Sequence, residues 1–388
     1  MVEIKSYPAK NGDAFLVNAK DSSFCMLVDG GYAETCSTYI EPDLERLAAK
    51  GRWLDLVVVT HIDADHISGL LPFFRRNGPA TKPVIIPVRD VLHNSLRGLI
   101  SPAEGQGSLR PDDAELLREI RLRGYPAPAR AAQQEISARQ GHSLSGLLRT
   151  GAYCWNSGDG RQSIGRDRLS TFQFPGARVQ VLGPNNERLE ALKKWWVAAL
   201  RRQGFVGSLS EFDDIFEFLC AHETPAPAAR AIASSDADLS LVHLPDDSVT
   251  NGSSISMVVE IGGCRLLLLG DAWAADIVDA LKPAGPSAFS AIKIAHHGSA
   301  RNTSPELLGL IDAPHYFIST NGDGHAHPDF AVLRAIVDRP ATFKRTLHFN
   351  YPTPASHRLK SYRSVSGAAF EVQEGGLDWV HLPGVIQS

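Results

Sequence analysis

Val57-Val58-Val59-Thr60-His61-Ile62-Asp63-Ala64-Asp65-His66-Ile67-Ser68-Gly69-Leu70 is the stretch on which the reading of this chain turns. Three consecutive β-branched apolar residues read as a buried strand. Thr60 follows, and then four potential metal ligands fall within six positions: His61, Asp63, Asp65 and His66. Alternation in an extended segment sets His61, Asp63 and Asp65 on one side, while His66 adds a second direction, as a loop curling around two ions needs. Imidazole nitrogen together with carboxylate oxygen suits zinc, manganese or iron. A solvated acidic loop with a stray histidine has no reason to crowd four ligands directly behind a hydrophobic strand. The stretch reads as a metal site.

Upstream, residues 2–7 and 14–18 predict short strands around the turn Lys10-Asn11-Gly12-Asp13. A third strand over 24–29 ends in Asp29-Gly30-Gly31, whose glycines allow a tight turn. Helical spacing of Ile40, Leu44, Leu47 and Ala48 predicts a helix, with Pro42 in its first turn and Gly51 as its stop. Beyond the ligand stretch come a helix over 68–76 and a strand over 83–87. Residues 178–182 predict a strand, as do 254–261 and 264–269, the last two joined by Gly262-Gly263, a hairpin signal. Helices over 273–281, 305–311 and 330–337 alternate with strands over 291–295 and 316–319, which indicates α/β layering. Short strands over 346–349 and 368–372 complete the chain.

Two stretches interrupt this order. Residues 90–178 are rich in arginine and contain no lysine between Lys82 and Lys193. They predict helices over 112–123 and 131–139. Arg161, Arg166 and Arg168 either line an anion groove or form a solvated face with local ion pairs. A second interruption over 185–250 predicts a helix at 187–202, another at 209–221, and a linker over 225–238. Trp195 and Trp196 of the first helix either pack in the core or stack on a base or sugar at a lid.

The pattern His-x-Asp-x-Asp-His resembles the His-x-His-x-Asp-His signature of the metallo-β-lactamase superfamily, with aspartate for the second histidine. That replacement resembles the branch holding the soluble domain of the ComEC competence channels and related phosphodiesterases such as phosphorylcholine esterases. Leu269-Gly270-Asp271, Lys293-Ile294-Ala295-His296-His297-Gly298-Ser299 and Gly324-His325-Ala326-His327-Pro328 follow in the family's order. The resemblance implies a four-layer αββα sandwich with helical insertions. One domain over 1–340 would carry the insertions near 90–178 and 185–250, with 341–388 as C-terminal strands or an extension packed on the core. It also implies two divalent ions, zinc or manganese. His61, Asp63 and a bridging Asp271 would hold one, and Asp65, His66, Asp271 and His297 the other. The family's middle histidine ligand has no clear counterpart. Asp65, His296 and His325 are the catalytic candidates, with His296 contacting substrate or protonating a leaving group and His325 holding phosphate or completing the second metal. Adjacent histidines in an extended run point oppositely, so His296 and His297 are not expected to share a face. Lys293 and Ser299 are further phosphate or supporting contacts.

At 388 residues the chain is long enough for a sizeable core. A net charge of −4 gives no global basic field for coating nucleic acid. Five scattered cysteines without a Cys-x-x-Cys pair read as reduced thiols. No apolar run reaches the ~18 residues of a membrane span, and no secretory leader is visible, so a cytoplasmic protein without membrane attachment is expected. The expected activity is metal-dependent hydrolysis by a hydroxide derived from metal-held water. A phosphodiesterase or nuclease is favoured, acting on a nucleic acid, nucleotide or phosphorylated headgroup, with a partner protein able to add specificity. The alternatives are a lactone, thioester or β-lactam hydrolase, or a non-catalytic binding module.

Overall fold

A computed structural model describes residues 1–21, 23–100, 144–202, 238–323 and 326–382. The helices expected at 112–123, 131–139 and 209–221, most of the 225–238 linker, and His325 lie outside the described residues. Five strands open the chain: β1 (Val2–Ser6), β2 (Phe15–Ala19), β3 (Cys25–Val28), β4 (Leu56–Val58) and β5 (Val91–Leu92). There follow β6 (Thr171–Phe174), β7 (Ala177–Gly183), β8 (Ser256–Ile261), β9 (Cys264–Leu268), β10 (Ser287–Ala288), β11 (Ala291–Lys293), β12 (Ile311–Asp312), β13 (His315–Ile318), β14 (Arg345–Phe349), β15 (Phe370–Glu374) and β16 (Val380–Leu382). A six-stranded sheet has the order β16-β1-β2-β3-β4-β5, and an eight-stranded sheet the order β15-β14-β13-β11-β9-β8-β7-β6. The strands from β16 to β3 pair antiparallel, and β3, β4 and β5 run parallel. In the second sheet, β9, β11, β13, β14 and β15 are parallel, while β6 to β9 form an antiparallel meander.

Period-2 alternation decides which layer each side chain enters. On β3, Met26 and Val28 face the second sheet, whereas Cys25 and Leu27 face the helices. On β4, Leu56 and Val58 face inward and Val57 and Val59 outward. Leu266 and Leu268 of β9 meet the first sheet across the middle of the molecule, and Leu267 and Leu269 meet the outer helices. The result is three apolar layers between four structural layers: an α/β fold with two helix layers enclosing two sheets, a metallo-β-lactamase-like αββα sandwich. Each fully buried Val or Leu in these layers contributes about 1.5–3 kcal/mol.

The helix Glu41–Ala48 begins with Pro42 in its first turn, preceded by a π-helical turn at Cys36–Ile40. The helices Leu70–Asn77, Ala274–Leu281, Pro305–Leu310 and Phe330–Val337 form where apolar periodicity predicts them. Gly262 and Gly263 turn the β8–β9 hairpin with φ of 54° and 79°. The strand expected over 83–87 does not form. Pro83 and Pro87 lack the amide hydrogens a ladder requires, so Leu54 and Val88 make an isolated bridge and pairing to β4 resumes at Val91–Leu92. The ligand stretch is also not extended to its end: Asp63 is the N-cap of a helical turn at Ala64–Ile67. Trp196 is buried in the core, and Arg161, Arg166 and Arg168 pair locally with Asp159, Asp167 and Asn186. Cys25, Cys36, Cys154 and Cys264 are free thiols. Among the described residues no helix is long and apolar enough to cross a membrane.

Candidate metal centre

Five parallel strands end at one place. Asp29 follows β3, His61 lies three residues beyond β4, Asp271 three beyond β9, His296 and His297 follow β11, and Ser319 follows β13. Open α/β sheets collect ligands at the carboxyl ends of their strands because the loops there are free to supply side chains.

At the centre is Asp271, almost wholly buried. Its Oδ2 lies 3.5 Å from His66 Nε2, 3.6 Å from His297 Nε2, 3.8 Å from His296 Nε2 and 3.9 Å from His61 Nε2. Asp63 Oδ2 is 3.6 Å from His61 Nε2, and Asp65 Oδ2 is 3.5 Å from His297 Nε2. The structure therefore brings together His61, Asp63, Asp65, His66, Asp271, His296 and His297. His296 and His297 do converge, contrary to the extended-chain expectation. Both adopt left-handed backbone angles (φ 45° and 56°) in a tight turn before Gly298, which brings both Nε2 atoms to Asp271. Two successive L-residues in this region cost roughly 1–2 kcal/mol each, a strain the surrounding fold supports.

The other ring nitrogen of each histidine is already engaged. His66 Nδ1 is 2.8 Å from Asp29 Oδ2, and His297 Nδ1 is 2.8 Å from the Ser319 carbonyl. His296 Nδ1 is 2.8 Å from Asn302 Oδ1. Thr60 Oγ1 donates to Asp29 Oδ2, leaving a lone pair for His61 Nδ1 at 3.1 Å. Each Nδ1 thus meets an acceptor, so the network assigns its proton there and leaves the Nε2 lone pair facing Asp271. Such partners are what orient metal-ligating histidines. Nε2 of His61, His66 and His297 is buried and has no hydrogen-bond partner. Buried nitrogens without partners are costly, and a divalent cation supplies what they lack. The donor separations of 3.5–3.9 Å approach the edge of about 3.4 Å in a tetrahedron with ~2.1 Å bonds. The residues fit metal.

Several supporting residues escaped sequence reasoning. Asp13 and Asp29 read only as turn residues, yet both are buried against the site. Lys293 is buried as well, in an ion pair with Asp13 and 3.5 Å from Asp271 Oδ1, and donates to the Gly270 carbonyl at 2.9 Å. It faces the protein side of the aspartate and not an open phosphate pocket. Ser299 Oγ accepts the Arg301 amide within its turn. Asn11 donates to Asp65 Oδ2 at 3.1 Å, and Thr250 to Asp63 Oδ2 at 3.0 Å. Lys293 and Ser299 were expected as phosphate or supporting contacts, whereas Asn11, Asp13, Asp29 and Thr250 act through partners distant in sequence.

Burial alone would push Asp271 up and His66 and His297 down. Opposed charges outweigh it. His297, His66, His296 and Lys293 hold Asp271 well below the ordinary carboxylate range. Asp271, Asp29 and Asp65 hold His66 well above the ordinary imidazole range, and Asp271 and Asp13 raise His297 to about 9. The pocket favours positive charge, whether a second proton on Nε2 or a cation in its place.

No curated protein matches the sequence. Among solved structures, a mutant of the CmlA beta-hydroxylase is similar at 10% identity and a TM-score of 0.33, over 95% of this chain and 52% of that one. The chain spans about half the length of that structure. The stretch that contributes His61, Asp63, Asp65 and His66 lies within residues 7–133, and those residues match the family model of the metallo-beta-lactamase superfamily.

Proposed function

We propose that this protein is a metal-dependent hydrolase of phosphodiesters, with two divalent cations, zinc or manganese, as its cofactors. The convergence of four imidazole Nε2 atoms on Asp271 Oδ2, with every Nδ1 tied to an acceptor, carries the reading. His61, Asp63 and Asp271 would hold one cation, and Asp65, His66, Asp271 and His297 the other. Two cations bound there lower the pKa of water and offset charge on the phosphoryl oxygens.

The chain's own groups divide the remaining work. Lys293 on Asp271 Oδ1 leaves Oδ2 as the oxygen turned to the histidines. Asn302 on His296 Nδ1 leaves Nε2 a lone pair toward Asp271, which suits a further metal ligand better than a proton donor. Asp65 is more exposed than Asp271 and is the carboxylate we assign to accept a proton from attacking water. Three carboxylates beside four imidazoles make the donor set harder than an all-imidazole one, which suits manganese and phosphoryl oxygen. Support for phosphodiesters over carbonyl substrates comes from that donor set and from the aspartate-substituted motif. The substrate is a nucleic acid, a nucleotide or a phosphorylated headgroup.

Metal content measured beside hydrolysis of bis-p-nitrophenyl phosphate, for the wild type and for Asp271→Ala, tests this. Close to two ions per chain and hydrolysis reduced to background by the substitution are expected. Bound metal without phosphodiester cleavage in the wild type overturns the substrate class. Absence of metal uptake overturns the whole reading.

A further inference from the structure

Two parts of the molecule hold the metal ligands. His61, Asp65, His66 and His297 are oriented by the body of the fold, through Thr60, Asn11, Asp29 and the Ser319 carbonyl. Asp63 and His296 are oriented by a strap over residues 243–251, which crosses the His296–His297 turn. His243 Nδ1 meets the Ala300 carbonyl at 2.6 Å, and Arg301 reaches the Pro245 carbonyl and Asp247. Within the strap, Asp246 is a buried carboxylate. It accepts from Asn251 Nδ2 at 2.7 Å, from Asn302 Nδ2 at 2.9 Å, and from the Asp247 and Ser248 amides. Asn302 passes that orientation on, because with its amide donating to Asp246 its oxygen faces His296 Nδ1. Four residues along, the Thr250 hydroxyl donates to Asp63 Oδ2, the same oxygen that lies 3.6 Å from His61 Nε2.

We infer that the strap is a positioning device for two of the metal ligands, Asp63 and His296. Asp246, acting through Asn302, aims His296, and Thr250 fixes the lone pair that Asp63 presents. The inference rests on the two-cation reading above. Asp63 is 36% exposed and would swing in solvent without Thr250, whereas Asp65 has Asn11 and a more buried setting. Positioning residues of this kind typically change metal affinity about 10- to 100-fold.

Chelator-competition titrations with manganese and with zinc resolve the two dissociation constants of the full chain. Thr250→Val removes the hydroxyl at nearly constant shape, and Asp246→Asn removes the carboxylate that orders Asn302. Each is expected to weaken at least one constant by about 10- to 100-fold, with the thermal melting temperature of the metal-free protein, recorded alongside, unchanged. Thr250→Ser keeps the hydroxyl and restores the weakened constant. Where the wild type binds two ions, unchanged constants in the variants, or a loss that only follows a lower melting temperature of the metal-free protein, overturn the inference while the metal reading stands. A wild type that takes up one ion or none overturns both.

Discussion

Asp29 shows how one buried carboxylate determines the chemistry of its neighbours. Its oxygens accept the Thr60 amide at 2.8 Å, the Thr60 hydroxyl at 2.7 Å and His66 Nδ1 at 2.8 Å. Two ligands depend on it, His66 directly and His61 through Thr60. Asp29→Asn keeps the volume but replaces one acceptor oxygen with an amide donor, which must then face a donor. A buried donor left without a partner costs about 1–3 kcal/mol, so the denaturation midpoint should fall with an unchanged slope. Metal affinity should fall about 10- to 100-fold in the same chelator titration, at both half-sites, because both histidines lose orientation. An affinity change confined to one half-site would show that Thr60 holds His61 without Asp29.

Between elements, close approach of backbones assembles the ligand stretch. The Asp13 amide donates to the Asp65 carbonyl, the Gly30 amide to the His66 carbonyl, and the Gly31 amide to the Asp13 carbonyl. A Cβ on Gly12 would lie 1.9 Å from the Asp65 carbonyl oxygen, a collision with backbone that no rotamer relieves. Gly12→Ala should therefore destabilise the protein by about 3 kcal/mol and displace Asp65. Gly309, in the helix Pro305–Leu310, has nothing within 4 Å of such a Cβ, so Gly309→Ala should stabilise by about 0.4–1 kcal/mol. Equal effects in urea denaturation would refute the close-approach argument. The same contacts explain what the sequence could show. Val57-Val58-Val59, the Gly262-Gly263 hairpin and the apolar spacing of 330–337 were legible because strand, turn and helix signals are local. So was the crowding of His61, Asp63, Asp65 and His66. The convergence of His296 with His297 was not legible, because it depends on left-handed backbone angles that neither residue favours by itself. Asp29 and Asp13 looked like turn residues, since nothing near them in the chain reveals partners 37 and 280 residues away.

At the scale of the whole molecule, the parallel strands are tied together by a buried charge cluster far from the metal centre. Arg345 of β14 has a fully buried side chain that pairs with Asp312 of β12 and donates to the Arg339 carbonyl. Arg339 and Tyr316 of β13 meet the same carboxylate at 3.3 Å and 2.9 Å. Burial would raise Asp312, but Arg345 and Arg339 outweigh it and hold the carboxyl below its usual range. A depressed carboxyl contributes stability that is fully present above its unfolded value, about pH 4, and is lost as pH falls through the folded value. Asp312→Asn should cost about 3–5 kcal/mol at pH 7, because Arg345 stays buried without its counter-charge. As the pH drops below about 4, wild-type Asp312 takes up its proton and the gap between the two proteins should close. Urea denaturation of both proteins from pH 7 downwards checks this. A gap that persists unchanged into acid would mean that packing at β12, and not the charge pair, carries the stability.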